Sequence, residues 1–454
     1  MTSFTGRIQS RRSPVRRLRL ALGLGLLFAS VTWSSPASAE DAPPPPPLLT
    51  PLEALFLPVK QAMAPLPPFL RDTDFHLHFR SYYLNRVTPD GTVNEAEAFG
   101  GWVRYRSGWL FDTFAIGATF NGSAPLYAPE DRDGTLLLET GQKGYYVPAE
   151  AWGALRYKDY AILRGYRQQV DQTYINPQDN RMTPNTFEGL TLGGKAGFVE
   201  YLTGYLWNIK TRNSDTFVSM SSAAGVTGKH EGVALAGVRL TPLRDLQIDL
   251  SNQYGTNLFN TLFAQVDYLH SLGTDWKLRL GAQITDQRAV GNAWLTGAAE
   301  KYWDVQVGGT RIQLIYRDLT LTTAFSITGT GNTIQVPWGS YPGYLSMIDQ
   351  DFDQAGEKAY MIGAAYDFSK ALLEGLRADV NLAWGKDIVN PKTGKKAPNQ
   401  AEYDATIDYR PNVQRPYFLK GLWFRVRADI LDQQDAPKLG YQFRLILNWD
   451  RDLI

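Results

Sequence analysis

The stretch that decides the fold is Gly421 to Asp450, which reads GLWFRVRADILDQQDAPKLGYQFRLILNWD. Two runs of alternating residues flank a polar turn. The apolar residues are Leu422, Phe424, Val426, Ala428 and Ile430 in the first run and Tyr441, Phe443, Leu445, Leu447 and Trp449 in the second; the residues between them include Trp423, Arg425, Arg427, Asp429, Gln442, Arg444 and Asn448. Alternation with a period of two is typical of a β-strand. Because it holds for about ten residues per strand, with aromatic residues near the ends, it predicts strands that cross an outer membrane between lipid and a water-filled lumen.

The rest of the mature chain repeats this pattern in about eighteen candidate strands. The connections between them alternate in length: short turns such as Ser107-Gly108 and Ala196-Gly197 are followed by long loops such as 169 to 185 and 330 to 357. A soluble β-sandwich, the alternative, gives no reason for this segregation of loop lengths. We therefore predict an all-β protein whose residues 75–454 form one transmembrane antiparallel β-barrel with short periplasmic turns and long extracellular loops. Two connections, 255 to 258 and 411 to 417, do not follow the rule.

The N-terminal region is predicted to contain two further segments. Residues 1–39 read as a signal peptide, because six arginines precede the apolar run from Leu20 to Trp33 and a small-residue cleavage site follows at Ala37-Ser38-Ala39. A retained membrane anchor is disfavoured, since a spanning helix needs roughly 20 apolar residues. Residues 40–74 are rich in proline and are interpreted as a periplasmic segment, with a short helix at Leu52 to Met63.

Composition excludes several classes of function. The chain has no cysteine, so disulfides, thiolate metal sites and cysteine nucleophiles are excluded together. Without the signal peptide it carries 40 basic and 45 acidic residues, a formal charge of −5, and no basic tract suited to nucleic acid. The 12 Trp, 24 Tyr and 21 Phe, with 41 Gly, suit a membrane barrel. No cofactor is indicated.

Arginines on the lumen side of the strands give the strongest chemical signal. The residues predicted to form a basic path are Arg377, Arg410, Arg425, Arg427 and Arg444. Guanidinium groups stay charged and bind carboxylates bidentately, so a row of them offers an anion successive sites of moderate strength. The alternative is that each arginine only pairs with an acid of the lumen, such as Asp379, Asp404, Asp408 or Asp429.

The loop from Thr330 to Glu357 is long enough to cover the barrel mouth or to fold inward. Its Asp349, Asp351 and Asp353 are candidates for a constriction. Their spacing resembles the start of a calcium loop, but Gln354 stands where that loop needs glycine. A solvated acidic loop is the other interpretation.

No metal site and no catalytic site are predicted. His76 and His78 share one face of the first strand, but no third ligand accompanies them in the sequence. Nothing pairs a nucleophile with a base, so the protein is not expected to be an enzyme.

Two segments are informative beyond their periodicity: Phe69-Leu70-Arg71-Asp72 followed by Phe79-Arg80-Ser81-Tyr82-Tyr83-Leu84-Asn85-Arg86, and Asn180-Arg181-Met182-Thr183-Pro184-Asn185-Thr186-Phe187-Glu188-Gly189. The first resembles the acidic lead and first strand of the OprD family of outer-membrane porins. The second resembles that family's segment after the third long loop. Val87 departs from the family's aspartate, and Leu453-Ile454 from its aromatic terminus, as in a distant member.

The resemblance implies an eighteen-stranded outer-membrane channel of a Gram-negative cell. It would admit small carboxylate-bearing solutes, such as amino acids or organic and aromatic acids, past inward-folded loops and a ladder of basic residues. Its partners would be anionic or zwitterionic solutes and membrane lipid, and the barrel would be a monomer or a homotrimer. A general diffusion porin, a hydrophobic-solute channel plugged by residues 48 to 70, and a barrel scaffold for an enzyme or adhesin remain alternatives.

Overall fold

The computed structural model describes residues 51–295, 301–412 and 420–453. The predicted signal peptide, and residues 40–50 of the proline-rich segment, lie outside the described residues. The described strands form one antiparallel sheet that closes on itself.

The sheet contains one short strand and eighteen barrel strands within the described ranges. The strands are β1 (Asp74–Val87), β2 (Val93–Arg106), β3 (Phe114–Tyr127), β4 (Tyr145–Tyr157), β5 (Ala161–Gln168), β6 (Thr186–Ala196), β7 (Val199–Lys210), β8 (Phe217–Ser219), β9 (Val233–Leu243), β10 (Leu246–Gly255), β11 (Phe259–Ser271), β12 (Trp276–Ala289), β13 (Asp304–Tyr316), β14 (Leu319–Thr328), β15 (Lys358–Asp367), β16 (Leu376–Lys386), β17 (Gln400–Tyr409), β18 (Leu422–Gln433) and β19 (Gly440–Asp452). The short β8 belongs to a loop, and β7 pairs directly with β9.

The barrel closes where the first and last strands meet. β1 pairs with β2 on one side and with β19 on the other, so neither strand has a free edge. Inside a bilayer an open edge would leave backbone donors and acceptors unpaired at a cost of several kcal/mol each. The prediction of an eighteen-stranded antiparallel barrel is confirmed.

The alternation along Gly421 to Asp450 places apolar and polar residues on opposite faces of the barrel wall. Along β19, Tyr441, Phe443 and Leu445 point outward and are exposed, whereas Gln442 and Arg444 are buried on the inner face. The outer face is therefore the lipid face, and the inner face is polar.

Four short helices accompany the strands in the described part of the chain: α1 (Pro51–Met63), α2 (Pro68–Arg71), a 3-10 helix (Glu130–Arg132) and α3 (Met220–Ala223). The helix predicted at Leu52 to Met63 is thus present. α1 and α2 pack against outward-facing rings, Phe56 against Phe75 at 6.5 Å and Phe69 against Phe114 at 6.4 Å between centroids. Among the described helices, none combines the length and the apolar character needed to span a bilayer.

Two long loops, 169–185 and 329–357, fold into the barrel and contact each other. Trp338 stacks on Phe259 of β11 with centroids 5.0 Å apart, and its Nε1 donates to the carbonyl of Met220 at 2.8 Å. Tyr174 of one loop meets Tyr341 of the other at 6.4 Å. We call Tyr174, Met220, Phe259, Trp338 and Tyr341 the apolar anchor. All five side chains are buried in one hydrophobic cluster.

Glycines on the inner wall make room for these loops. A Cβ at Gly281 would lie 2.5 Å from the hydroxyl of Tyr344, and one at Gly255 would lie 2.9 Å from the ring of Trp338. The loops can therefore approach the wall more closely than a side chain would allow.

Candidate functional site

The arginines predicted from the last strands lie on the inner face of β16 to β19 but at different depths. Arg427 and Arg444 are direct neighbours across the β18–β19 pair. Arg377 is exposed and forms an ion pair with Asp367, with Nη2 and Oδ2 2.8 Å apart. Arg410 follows β17 and lies over Trp423 at 4.8 Å. Arg377 and Arg410 thus belong to the periplasmic rim and not to the interior.

Arg425 stands between the rim and the interior. Its Nε and Nη2 donate to the two carboxylate oxygens of Asp408 at 2.7 and 2.9 Å, and its guanidinium lies over Trp423. Simple pairing with an acid, the alternative interpretation, therefore describes Arg425 with Asp408 in the lumen and Arg377 with Asp367 at the rim.

Arg444 and Arg427 differ from Arg425 in their hydrogen-bond partners. Arg444 is buried and donates to Gln442 Oε1 and to the carbonyl of Ile348, both at 2.8 Å. Within the described part of the chain, no hydrogen bond or ion pair involves Arg427. Arg427 is consequently a half-buried cation whose donors are free for another partner.

Three further arginines lie with Arg427 and Arg444. Strand alternation along the last strands did not predict them. Arg80 of β1 is buried and donates to Asn448, to Asp179 at 2.7 Å and to the carbonyl of Arg181. Arg181 itself donates to the carbonyls of Thr135 and Asn180, each at 2.9 Å. Arg212 donates to the side chain of Asn180. We call Arg80, Arg181, Arg212, Arg427 and Arg444 the arginine cluster.

The charges of the arginine cluster act on one another. Burial lowers the pKa of the Arg181 guanidinium well below its usual value, and the neighbouring charge of Arg444 lowers it further. Burial also lowers the pKa of Arg212 to about 10, again with a contribution from Arg444. Tyr82, which is buried, lies in the field of four of the five arginines. This concentration of positive charge would favour a bound anion.

The 329–357 loop is attached to the wall beside the arginine cluster by backbone hydrogen bonds. The amides of Asp349 and Gln350 donate to the two oxygens of Glu402 at 2.7 and 2.8 Å. The amide of Ile348 donates to Asp404 at 3.0 Å, and its carbonyl accepts from Arg444. The turn at 348–350 is therefore held across β17, β18 and β19 inside the lumen.

The three aspartates predicted for a constriction occupy this attached segment but face different surroundings. Asp349 is 4.0 Å from Arg86 and accepts from Gln442 at 3.4 Å. Asp351 accepts from the hydroxyl of Ser346, and burial raises the pKa of its carboxyl. Asp353 is buried, and burial with the charges of Asp351 and Glu357 raises the pKa of its carboxyl well above its usual value. Of these three aspartates, Asp349 alone is paired with a basic side chain among the residues that the structure describes.

Comparisons with known proteins agree with this architecture. The model of the family described as outer membrane porin, OprD family, matches residues 67–453. A comparison with curated proteins found no relative.

Several solved structures are similar in fold. Acinetobacter baumannii OccAB3 shares 17% identity at a TM-score of 0.75, covering 84% of this chain and 99% of that one. The structure of Pseudomonas aeruginosa OpdK with vanillate shares 19% identity at a TM-score of 0.73, covering 85% of this chain and 100% of that one. A BenF-like porin from Pseudomonas fluorescens Pf-5 shares 17% identity at a TM-score of 0.74, covering 85% of this chain and 100% of that one.

Proposed function

Since the chain belongs to the OprD family of outer-membrane porins, we propose that it is a channel for passive, selective uptake of small carboxylate-bearing solutes. Amino acids and organic or aromatic acids are the substrate classes that fit this proposal. The solute diffuses through the lumen without an energy source. Residues 1–39 act as the signal peptide in this proposal, and residues 40–74 remain in the periplasm.

The observation that carries the proposal is the state of Arg427. Its neighbours in the arginine cluster are committed to loop carbonyls, amides or an acid, whereas no hydrogen bond or ion pair occupies the guanidinium of Arg427 in the described chain. A carboxylate that reaches the middle of the lumen can therefore accept from Arg427 without displacing a protein group. Such a site is attractive enough to bind an anion and open enough to release it.

Acidic groups beside the arginine cluster refine the proposed substrate. Asp349 lies in the lumen next to Arg86, on the loop segment that Arg444 holds. A solute with a carboxylate and an ammonium group could contact Arg427 and Asp349 together, which favours anionic and zwitterionic solutes over cations. The vanillate bound to the related OpdK is itself a carboxylate, which supports this class.

The experiment that tests the proposal is the zero-current potential of the purified protein in a planar bilayer. With a tenfold KCl gradient, complete selectivity corresponds to about 59 mV. We expect an anion preference in the wild type, and a shift of roughly 10 to 20 mV toward zero in Arg427→Ala. Block of the current by benzoate or glutamate should weaken in the same variant.

The matched control is Arg377→Ala, which removes an equal charge from the exposed rim. It should leave both the potential and the block nearly unchanged, because its partner Asp367 and water screen it. Equal effects of the two substitutions, or a wild-type conductance that no carboxylate blocks, would favour a general diffusion porin and refute the arginine path.

A further inference from the structure

A second polar cluster lies toward the periplasmic end of the barrel, next to Arg80, the member of the arginine cluster that stands over Trp102. His76 and His78 of β1 point into the lumen beside Asp450 of β19. His78 Nδ1 is 2.7 Å from Asp450 Oδ1, and His76 Nε2 is 3.4 Å from the same oxygen. One ligand atom from each of the three residues lies within 4.8 Å of the other two. The third ligand that the sequence lacked near the histidines is thus supplied by barrel closure.

The hydrogen bonds around His76 match those of a metal-binding histidine. Its Nδ1 is 2.7 Å from Asp452 Oδ1, while its Nε2 faces Asp450. A carboxylate oxygen thus faces each ring nitrogen, and a cation bound at Nε2 would lie between the imidazole and Asp450. A carboxylate that accepts from the far nitrogen fixes the ring orientation and makes the near nitrogen a better metal ligand.

Neighbouring groups hold the other two ligands in place. The ring of His78 stacks on Trp102 with centroids 3.8 Å apart and planes 8° from parallel. Trp423 Nε1 is 3.3 Å from Asp450 Oδ2, which leaves Oδ1 directed at the histidines. The ligands are therefore oriented without the ion, which reduces the cost of binding it.

Nearby positive charges are already paired with other acids. Arg104 donates to Asp74 at 2.9 Å, and Arg80 to Asp179 at 2.7 Å. The carboxylates of Asp450 and Asp452 are thus available to offset the charge of a cation at this position.

We propose that His76, His78 and Asp450 bind a divalent transition-metal ion of the Zn²⁺ class at the seam of the barrel. Two imidazole nitrogens and one carboxylate oxygen form a donor set that suits Zn²⁺, Ni²⁺ and Cu²⁺, and not Mg²⁺ or Ca²⁺. Zn²⁺ bonds of about 2.0 to 2.1 Å separate tetrahedral ligand atoms by roughly 3.3 Å. The His76–Asp450 contact of 3.4 Å already has this spacing, and the His78–Asp450 contact of 2.7 Å has to widen by about half an ångström. Asp450 retains 39% of its side-chain exposure, so an ion can enter from the periplasmic mouth.

The ion would join the two strands that close the barrel. His76 and His78 belong to β1 and Asp450 to β19, at positions that are neighbours only in the folded protein. An ion that binds only to the folded protein stabilises the folded state against unfolding. None of the three ligands belongs to the arginine cluster, so the site is distinct from the proposed solute path at Arg427.

The test is calorimetric titration of Zn²⁺ into the full mature protein, folded in detergent, purified without a polyhistidine tag and stripped with a chelator. We expect one ion per barrel, and at least tenfold weaker binding in each of Asp450→Asn, His76→Ala and His78→Phe. The phenylalanine keeps an aromatic ring on Trp102. Co²⁺ should give the visible absorption of a site with nitrogen and oxygen ligands in the wild type, and lose it in the variants.

The matched control is His270→Ala, which removes another histidine of the barrel wall. His270 lies on β11 beside the hydroxyl of Tyr268, and it has no part in the proposed site. Binding should be unchanged in this variant. A heat-modifiable band on a gel identifies the variants that still fold. If His76→Ala does not fold, His76→Gln takes its place. Absence of a stoichiometric site in the wild type, or wild-type affinity in Asp450→Asn, overturns the proposal.

Discussion

The two sides of the lumen hold the same inward loops by opposite means. On the side of β7 to β13, the apolar anchor buries aromatic rings of both loops against the wall. On the side of β17 to β1, the 329–357 loop meets the wall through charged and polar groups, Glu402, Asp404 and Arg444. The difference shows how a loop can stand inside a wet lumen: nonpolar contacts hold it on one side, and on the other side a few hydrogen bonds suffice, so that Arg427 can remain available to a solute.

Removing the largest ring of the apolar anchor should have the largest effect. Trp338 is 1% exposed and donates to a buried carbonyl, so Trp338→Ala is expected to lower the free energy of unfolding by about 3 to 5 kcal/mol. The freed loop should also raise the single-channel conductance and its noise. Urea titrations followed by the heat-modifiable band measure the first effect, and bilayer recordings the second.

Tyr302→Ala is the control, because this ring in another loop is exposed. It should change neither quantity appreciably. Wild-type stability and conductance in Trp338→Ala would show that the polar side alone holds the loop.

Weakening the polar contacts of the 329–357 loop should lower the free energy of unfolding by less than Trp338→Ala does. Glu402 is buried and accepts two amides of the 329–357 loop, one with each oxygen. Glu402→Gln keeps the shape but replaces one acceptor with a donor, so one amide loses its partner at about 1 to 3 kcal/mol. Hydrogen exchange at residues 345–352 should accelerate, while exchange near Trp338 stays slow.

The same conservative change at the exposed Glu130 serves as the reference for Glu402→Gln. If exchange at Trp338 accelerates together with exchange at 345–352, the two sides open as one unit, and the comparison between them fails.

The smallest expected effect is a dependence on pH. Burial raises the pKa of Asp353 in the folded state above the usual value of 3.8, so the folded protein holds a proton that the unfolded chain releases. Stability therefore decreases as pH rises from about 4 toward the folded pKa, and it is greatest at acid pH. Asp353→Asn should flatten this slope and raise stability at pH 7 by roughly 1 kcal/mol. Unfolding midpoints between pH 4 and 8 measure both; an unchanged slope would place the titrating group elsewhere.

Strand periodicity was enough to predict the barrel. Each strand has one face in lipid and one in water, so the alternation of Gly421 to Asp450 carries through to the observed β18 and β19. The three-residue β8 went unpredicted, because a period of two cannot be recognised over so short a run.

The candidate site could be predicted only in part. Alternation tells which face a residue is on, but not its depth, which is why Arg377 and Arg410 are at the rim whereas Arg427 is inside. Arg181 and Arg212 reach the lumen through loops that fold inward, and this depends on tertiary packing. Arg80 could have been found, since it shares the inner face of β1 with His76 and His78.

Pairing of β1 with β19 also determines the order in which the protein can assemble. The contact between His78 and Asp450 joins residues 372 positions apart, whereas most other strands pair with their neighbours in sequence. Pairings of low sequence separation form fastest, so this contact is expected to be the last step of folding. Until it forms, β1 presents an unpaired edge, and a chain shortened before β19 would keep that edge open and available to a strand of another molecule.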